Sequence, residues 1–590
     1  ELNLPYLNYV ISLMNEPTPT GLSLFDRLFK YFDKRRPSDR LFLYILVLVA
    51  VSAGFYALYL VNQSYIREVP TAGGTLMEGV VGTPRFVNPV LAVTKADHDL
   101  VALMYSGLLK IGTEGELEND LADSISISDD GLVYNIILRQ DRQFHDGLPI
   151  RAEDVAYTIG LIQDAALKSP LRGNWNGITV EMIGDYELNL VLEESYAPFM
   201  ENLTVGIIPK HIWSNLSDEE LPFSQYNTEP VGSGPYKLGS VKRNKSGLVD
   251  EYNLEAVAEG EDTANISEIV LKFFQNENEL VEALKSGVVN STAALSESSL
   301  SNLDLSEFEV TQQPLPRVFS VFFNQNKSAV LRDSYAREAL EVMVDREELV
   351  KRALYGYGTP SYSPVPPSFA EVTTATNTPS MTVEERLQKA REILTDGDWE
   401  QAEDGHFEKV LEKSTTTLAI SLRSANSPVF ENTAAYLTEV WSALGVRVES
   451  ELYEQSDLVQ SVIRPRDYQA LLFGVDVGRA LDFYPFWHSS QREDPGLNVA
   501  LYTNITADKL LTDLRKESDA GKRSELLNGF VAEIQSETPA LFLFSPSFVY
   551  LTTKDINTTA MNRLSRPSER FSNVKEWFIN KSSVWPVFVN

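Results

Sequence analysis

The feature that most limits the fold is LFLYILVLVAVSAGFYALYLV, residues 41–61, a run of 21 residues without a charge. In hydrocarbon every backbone N–H and C=O needs an internal partner, so such a run becomes a helix, here about 31 Å long, the thickness of a bilayer core. KYFDKRRPSDR before it carries Lys30, Lys34, Arg35, Arg36 and Arg40, and basic flanks stay on the cytoplasmic side. The pattern predicts a cytoplasmic segment over 1–40, a transmembrane helix over 41–61, a linker over 62–72 and a large domain outside. A signal peptide cut near Val51-Ser52-Ala53 is the second reading, although the apolar run continues past that cut. Within the first forty residues, SLFDRLFKYF sets Leu24, Phe25, Leu28, Phe29 and Phe32 on one face and Arg27 and Lys30 on the other. That suits a helix lying on the inner membrane surface, or one packed on a membrane partner.

The residues after Val61 are too many for one core, so at least two lobes are expected. The whole chain has 83 acidic and 51 basic residues, a formal −32, which argues against nucleic acid as partner. It has no cysteine, which excludes disulfides, thiolate metal sites, a cysteine nucleophile and lipid attachment through sulfur. Strands and helices alternate irregularly. DYELNLVLEE alternates Tyr186, Leu188, Leu190 and Leu192 on one face, a half-buried strand. DREELVKRALYGYG opens with Asp345, carries Glu348 at capping-box spacing and ends at Gly356. SPVFENTAAYLTEVWSALG starts at Ser427-Pro428 and stops at Gly445, with Leu437, Val440, Trp441 and Leu444 at helical spacing. VRVESELYE and DYQALLFGVD read as strands, and 359–380 as a long surface loop. The class is α/β with mixed sheets.

RQFHDGLPIRAEDVAYTIG, residues 142–160, gathers His145, Asp146, Glu153 and Asp154 within ten residues. A metal site would need more than one histidine nearby. LVYNIILRQ before it reads as a strand with Tyr134, Ile136 and Leu138 inward; Asp146-Gly147 is a turn pair, and acids in the first turn of the next helix suit its dipole. These charges are read as geometry, not chemistry.

FHDGLPIRAEDVAYTI resembles the strand–turn–helix signature of the family 5 extracellular solute-binding proteins, the peptide- and nickel-binding components of ABC importers. GTPRFVNPVL (82–91) with MYSGLL (104–109), PVGSGPYKL (230–238), FFNQNKSAVLRDSYAREALEVMVDREELVKRALYGYGTP (322–360), FYPFWHSSQ (483–491) and NITADKLLTDL (504–514) are similar to further family segments, in order, across about 73–555. Arg151 stands where the signature usually has threonine, so the helix lacks that N-cap side chain, at a cost of around 1 kcal/mol. The resemblance implies a two-lobe periplasmic-binding-protein-like fold of the large, three-subdomain type, preceded here by one transmembrane helix. Lobe one would take 73–317, with 545–590 returning to it, and lobe two 318–544, the crossovers falling at QPLPRVFSVFF and PALFLFSPSFVY.

No G-x-S-x-G, H-E-x-x-H or P-loop pattern occurs, and the five histidines, His98, His145, His211, His406 and His488, are scattered. The resemblance therefore implies a binder without catalytic residues, cofactor or metal. It would be held in the cell membrane, capturing peptides outside and passing them to ABC permease subunits. An oligosaccharide or nickel chelate is the alternative ligand, and a peptide hydrolase a more distant reading. From the matching segments the ligand-binding residues are expected to include Thr83 and Phe86 of the first, and Trp487 and His488 of FWHSSQ. Arg423 in SLRSANSP is the candidate for a ligand carboxylate, with a surface salt bridge as its alternative. Asp476, at the end of the LLFGVD strand in a W-x-x-D-like setting, is the candidate for a peptide ammonium, with Asp482 in reserve.

Overall fold

A computed structural model describes residues 36–258, 263–369, 381–411, 414–559 and 562–585. The amphipathic stretch at 24–32 and part of the long surface loop, 370–380, lie outside the described residues. The chain divides into two compact units, Glu1–Pro70 with Lys581–Asn590, and Thr71–Asn580.

In the first unit, a helix spans Pro37–Tyr65, opened by a proline where no intrahelical N–H is needed. Its stretch Tyr44–Asn62, 19 residues, is long and apolar enough to cross a membrane, and none of it is buried in protein. Residues 62–72, expected as a linker, hold the last helical turn and a strand, Arg67–Pro70, which pairs antiparallel with Lys581–Val584. The Lys581 ammonium lies 3.1 Å from Glu68 across that pair.

The second unit is α/β with mixed sheets, as expected. Its main sheet has twelve strands around one long central strand, Ala540–Thr553. The first part of that strand pairs with Arg317–Phe323 and the later part with Phe308–Pro314. Beyond Arg317–Phe323 the sheet continues through Ala470–Asp476 and Ala419–Ala425 to Arg447–Tyr453. In the other direction it runs through Ser291–Thr292, Thr75–Val81 and Glu268–Phe274 to the hairpin of Val249–Ala256 and Tyr236–Arg243. A separate antiparallel sheet contains Val133–Leu138 and Glu187–Leu192, whose alternation buries Tyr134, Ile136, Leu138, Leu188, Leu190 and Leu192 as the sequence predicts.

The two chain passages through the middle of the large sheet lie side by side. Pro314 is opposite Ser547, the Leu315 N–H donates to the Pro546 carbonyl at 3.2 Å, and the Ser545 hydroxyl donates to the Leu315 carbonyl at 2.8 Å. These passages also divide the buried apolar residues. The largest core draws on Leu76 through Leu315 and on Phe548 through Trp577, with a satellite around Leu280–Val289. The other two cores draw only on Val318 through Phe544.

Local signals set the helices. The Asp345 carboxylate accepts the N–H groups of Glu347 and Glu348, both at 3.1 Å, and so starts the helix Arg346–Leu354. Glu348 does not complete a capping box; it pairs with Arg352 at 2.8 Å. The helix Pro428–Leu444 ends where Gly445 takes φ +107°, a conformation that side chains resist.

Candidate functional site

A cavity of about 700 Å³ opens against the paired passages, and residues from both sets of core segments line it. Its deepest charges form a buried network. Arg570 donates to both oxygens of Asp99, at 2.8 and 2.7 Å, and to Glu78 at 2.8 Å. Ser291 and Tyr550 donate to the other Glu78 oxygen at 2.5 and 2.9 Å. Glu78 is fully buried, and burial pushes its carboxyl up, opposed chiefly by the Arg570 guanidinium.

Nearer solvent, the same cavity is lined by Asp476 and Arg317. They stand directly opposite on adjacent strands, and the guanidinium meets the Asp476 Oδ2 at 2.9 Å. Asp476 Oδ1 accepts the Gly478 N–H at 3.1 Å, which shapes the loop that follows. Both side chains remain 40% exposed, so the carboxylate keeps lone pairs for another cation.

The other residues expected at the site sit elsewhere. Asp482 is outside the cavity lining and 13% exposed; Arg515 grips it at 2.7 Å, and the Tyr196 hydroxyl donates to it at 3.1 Å. Arg423 lies on a strand paired on both sides, hydrogen-bonded to the Asp467 carbonyl and within 3.5 Å of Glu451 on the neighbouring strand, the ion-pair arrangement held as its alternative. Trp487 is 2% exposed and packs among Phe322, Phe530 and Phe542. His488 stacks on Tyr484 with ring centroids 4.1 Å apart, its Nδ1 2.8 Å from the Ser490 hydroxyl, and burial lowers its pKa. Thr83 is exposed, and Phe86 lies half-buried under the Arg85 guanidinium; neither lines the cavity. Among the described residues no group of three or more metal-ligating side chains is found.

The structure thus brings one of the expected residues, Asp476, into the cavity and adds three that sequence reasoning missed: Arg317, Phe319 and Phe430. Arg317 sits in the crossover QPLPRVFSVFF, where a cation at the head of an apolar strand was the available signal. Its opposition to Asp476 is a matter of strand pairing across 159 residues, which no local pattern carries.

The HDGLP stretch proves to be scaffold. Asp146 takes the Leu148 N–H at 3.2 Å and contacts His211 at 2.7 Å; Asp154 accepts the N–H groups of Arg151 and Lys210, both at 2.9 Å. Arg151 has no side-chain acceptor to cap its helix. The PVGSGPYKL turn rests on the end of the helix Lys95–Met104. Ser233 and Gly234 donate to the Met104 carbonyl at 2.9 and 2.8 Å, and a Cβ on Gly232 would lie 1.8 Å from that oxygen.

A mixed α/β sheet with a cavity against its two central passages is the periplasmic-binding-protein fold. The model of the bacterial extracellular solute-binding proteins, family 5, matches residues 116–494, and the chain belongs to that family. It is 26% identical over 565 residues to the oligopeptide-binding protein AppA of Bacillus subtilis (strain 168), covering 93% of this chain and 100% of that one. The structure of Bacillus subtilis AppA in complex with a nonapeptide superposes with a TM-score of 0.65 at 24% identity, over 87% of this chain and 100% of the other. NikZ from Campylobacter jejuni in complex with Ni(L-His) superposes with a TM-score of 0.66 at 24% identity, over 85% and 99%. Both structural likenesses speak for the fold alone.

Proposed function

We propose that this chain captures peptides on the outer side of a cell membrane, anchored by the helix Pro37–Tyr65, and delivers them to ABC permease subunits. Lobe one comprises 73–317 and the segment returning from 545, and lobe two 318–544. The division of the cores at Leu315/Val318 and Phe544/Phe548 supports this, as do the adjacent crossovers, which suit a hinge. The relative AppA, an oligopeptide-binding protein, supports peptide as the ligand class.

The observation that carries the reading is Asp476, a half-exposed carboxylate inside the cavity, held in place by Arg317. It meets the ligand's α-ammonium. Asp482, engaged with Arg515 and Tyr196, serves the lobe contact instead. Closure would desolvate the new ion pair, so losing one partner should cost roughly 3–5 kcal/mol, or two to four decades in affinity. Calorimetry on the full chain in detergent, with a tripeptide and its N-acetylated form, tests this. Wild type should reject the acetylated peptide, Asp476→Asn should lose that discrimination, and Asp482→Asn should keep it. Equal preference for the free amine in wild type and Asp476→Asn would overturn the assignment.

A further inference from the structure

Beside the Asp476–Arg317 pair, the same two strands carry an aromatic surface that the reading above leaves unused. Side chains two residues apart on a strand share a face. Phe319 therefore shares the face of Arg317, and Gly474 that of Asp476, and Phe319 is paired opposite Gly474. The missing side chain is what gives the ring its place: a Cβ on Gly474 would lie 2.3 Å from Phe319 Cε1 and 2.5 Å from Cδ1. From above, the helix Pro428–Leu444 delivers Phe430, stacked on Phe319 with ring centroids 5.0 Å apart and planes 25° apart. Phe544 backs Phe319 at 5.2 Å. Phe319 and Phe430 are both half-buried, and both line the cavity that holds Asp476.

We infer that Phe319 and Phe430 form a platform for the ligand's first side chain, so the site selects an apolar, above all aromatic, amino-terminal residue. The inference rests on the peptide reading and on Asp476 as the ammonium partner. Adjacent residues of one strand face lie about 7 Å apart, so an amine held at Asp476 brings the side chain on the same Cα to the edge of the platform. The apolar surface there is already partly stripped of water by its neighbours, and an aromatic ring gains both buried area and an offset-stacking partner. A charged first side chain would lose its hydration against the same surface without a partner for it.

Calorimetry on the full chain in detergent with Phe-Ala-Ala, Ala-Phe-Ala, Ala-Ala-Phe and Ala-Ala-Ala reads the inference directly. Phe-Ala-Ala should bind about tenfold more tightly than each of the other three. In Phe430→Ser the ratio between Phe-Ala-Ala and Ala-Ala-Ala should fall below about twofold. Gly474→Ala, which pushes the Phe319 ring from its seat without removing it, should lower the same ratio, and Phe319→Leu serves if either variant fails to fold. Wild type that binds the peptides equally, or prefers phenylalanine at the second or third position, overturns the platform while leaving the peptide reading intact. Wild type that binds none of the four overturns the peptide reading itself, and the platform with it.

Discussion

Two sets of charges line one cavity and do opposite things. Arg570 with Glu78 and Asp99 is almost fully buried, with 4%, 0% and 8% of the side chains exposed. Arg317 with Asp476 is 40% exposed on each side and joined by one hydrogen bond. The first set cannot be opened without leaving a bare charge in a low-dielectric interior, so it acts as a fastener. It joins the strand Thr75–Val81, the helix Lys95–Met104 and the turn near the end of the chain. The second pair has water beside it and contributes little to stability, so its carboxylate stays open to a second partner. Charge type alone does not separate a structural acid from one open to a new partner; exposure and the number of partners do.

The largest expected effect comes from the buried set. Arg570→Met should destabilise the protein by roughly 3–5 kcal/mol, because Glu78 and Asp99 then lose their cation while still buried. Urea unfolding measures it, with Arg317→Met as the matched control, expected below about 1 kcal/mol. Similar losses in the two variants would erase the distinction between the pairs.

Glu201 sharpens the comparison, since it is a largely buried carboxyl that makes no ion pair among the described residues. It is pushed up to about 7, by burial first, with Arg479 opposing and Glu569 adding to the shift. The unfolded chain gives up this proton near 4.5 and the folded protein near 7, so the group lowers stability as pH rises between those values and no further above them. Glu201→Gln should remove that slope and gain on the order of 3 kcal/mol at pH 8 relative to pH 4. Parallel pH–stability curves for variant and wild type would show that Glu201 ionises freely.

Arg423 is the small end of the scale. Its contacts to Asp467 and Glu451 are partly exposed, so Arg423→Ala should cost less than about 1 kcal/mol in stability. It should leave the affinity for a tripeptide within twofold of wild type, whereas a tenfold loss would put this arginine on the ligand.

What the sequence determined by itself is local. The uncharged run at 41–61 lies in a helix, the form that would satisfy its backbone in hydrocarbon, and Ser427-Pro428 with Gly445 bounds a helix through dihedral preferences a few residues wide. The alternation in LVYNIILRQ and DYELNLVLEE named the buried face of each strand for the same reason. The tertiary structure alone decided which acid is open. Asp476 and Asp482 lie six residues apart, one ending a strand and the other in the loop beyond it, and nothing near them says that Arg515 and Tyr196 will occupy one while Arg317 leaves the other half exposed. Trp487 likewise reads as an aromatic beside a histidine until Phe322, Phe530 and Phe542 close around it. A carboxylate's freedom and a ring's exposure depend on partners tens to hundreds of residues away, brought near only when strands pair and cores close, and so they are properties of the fold.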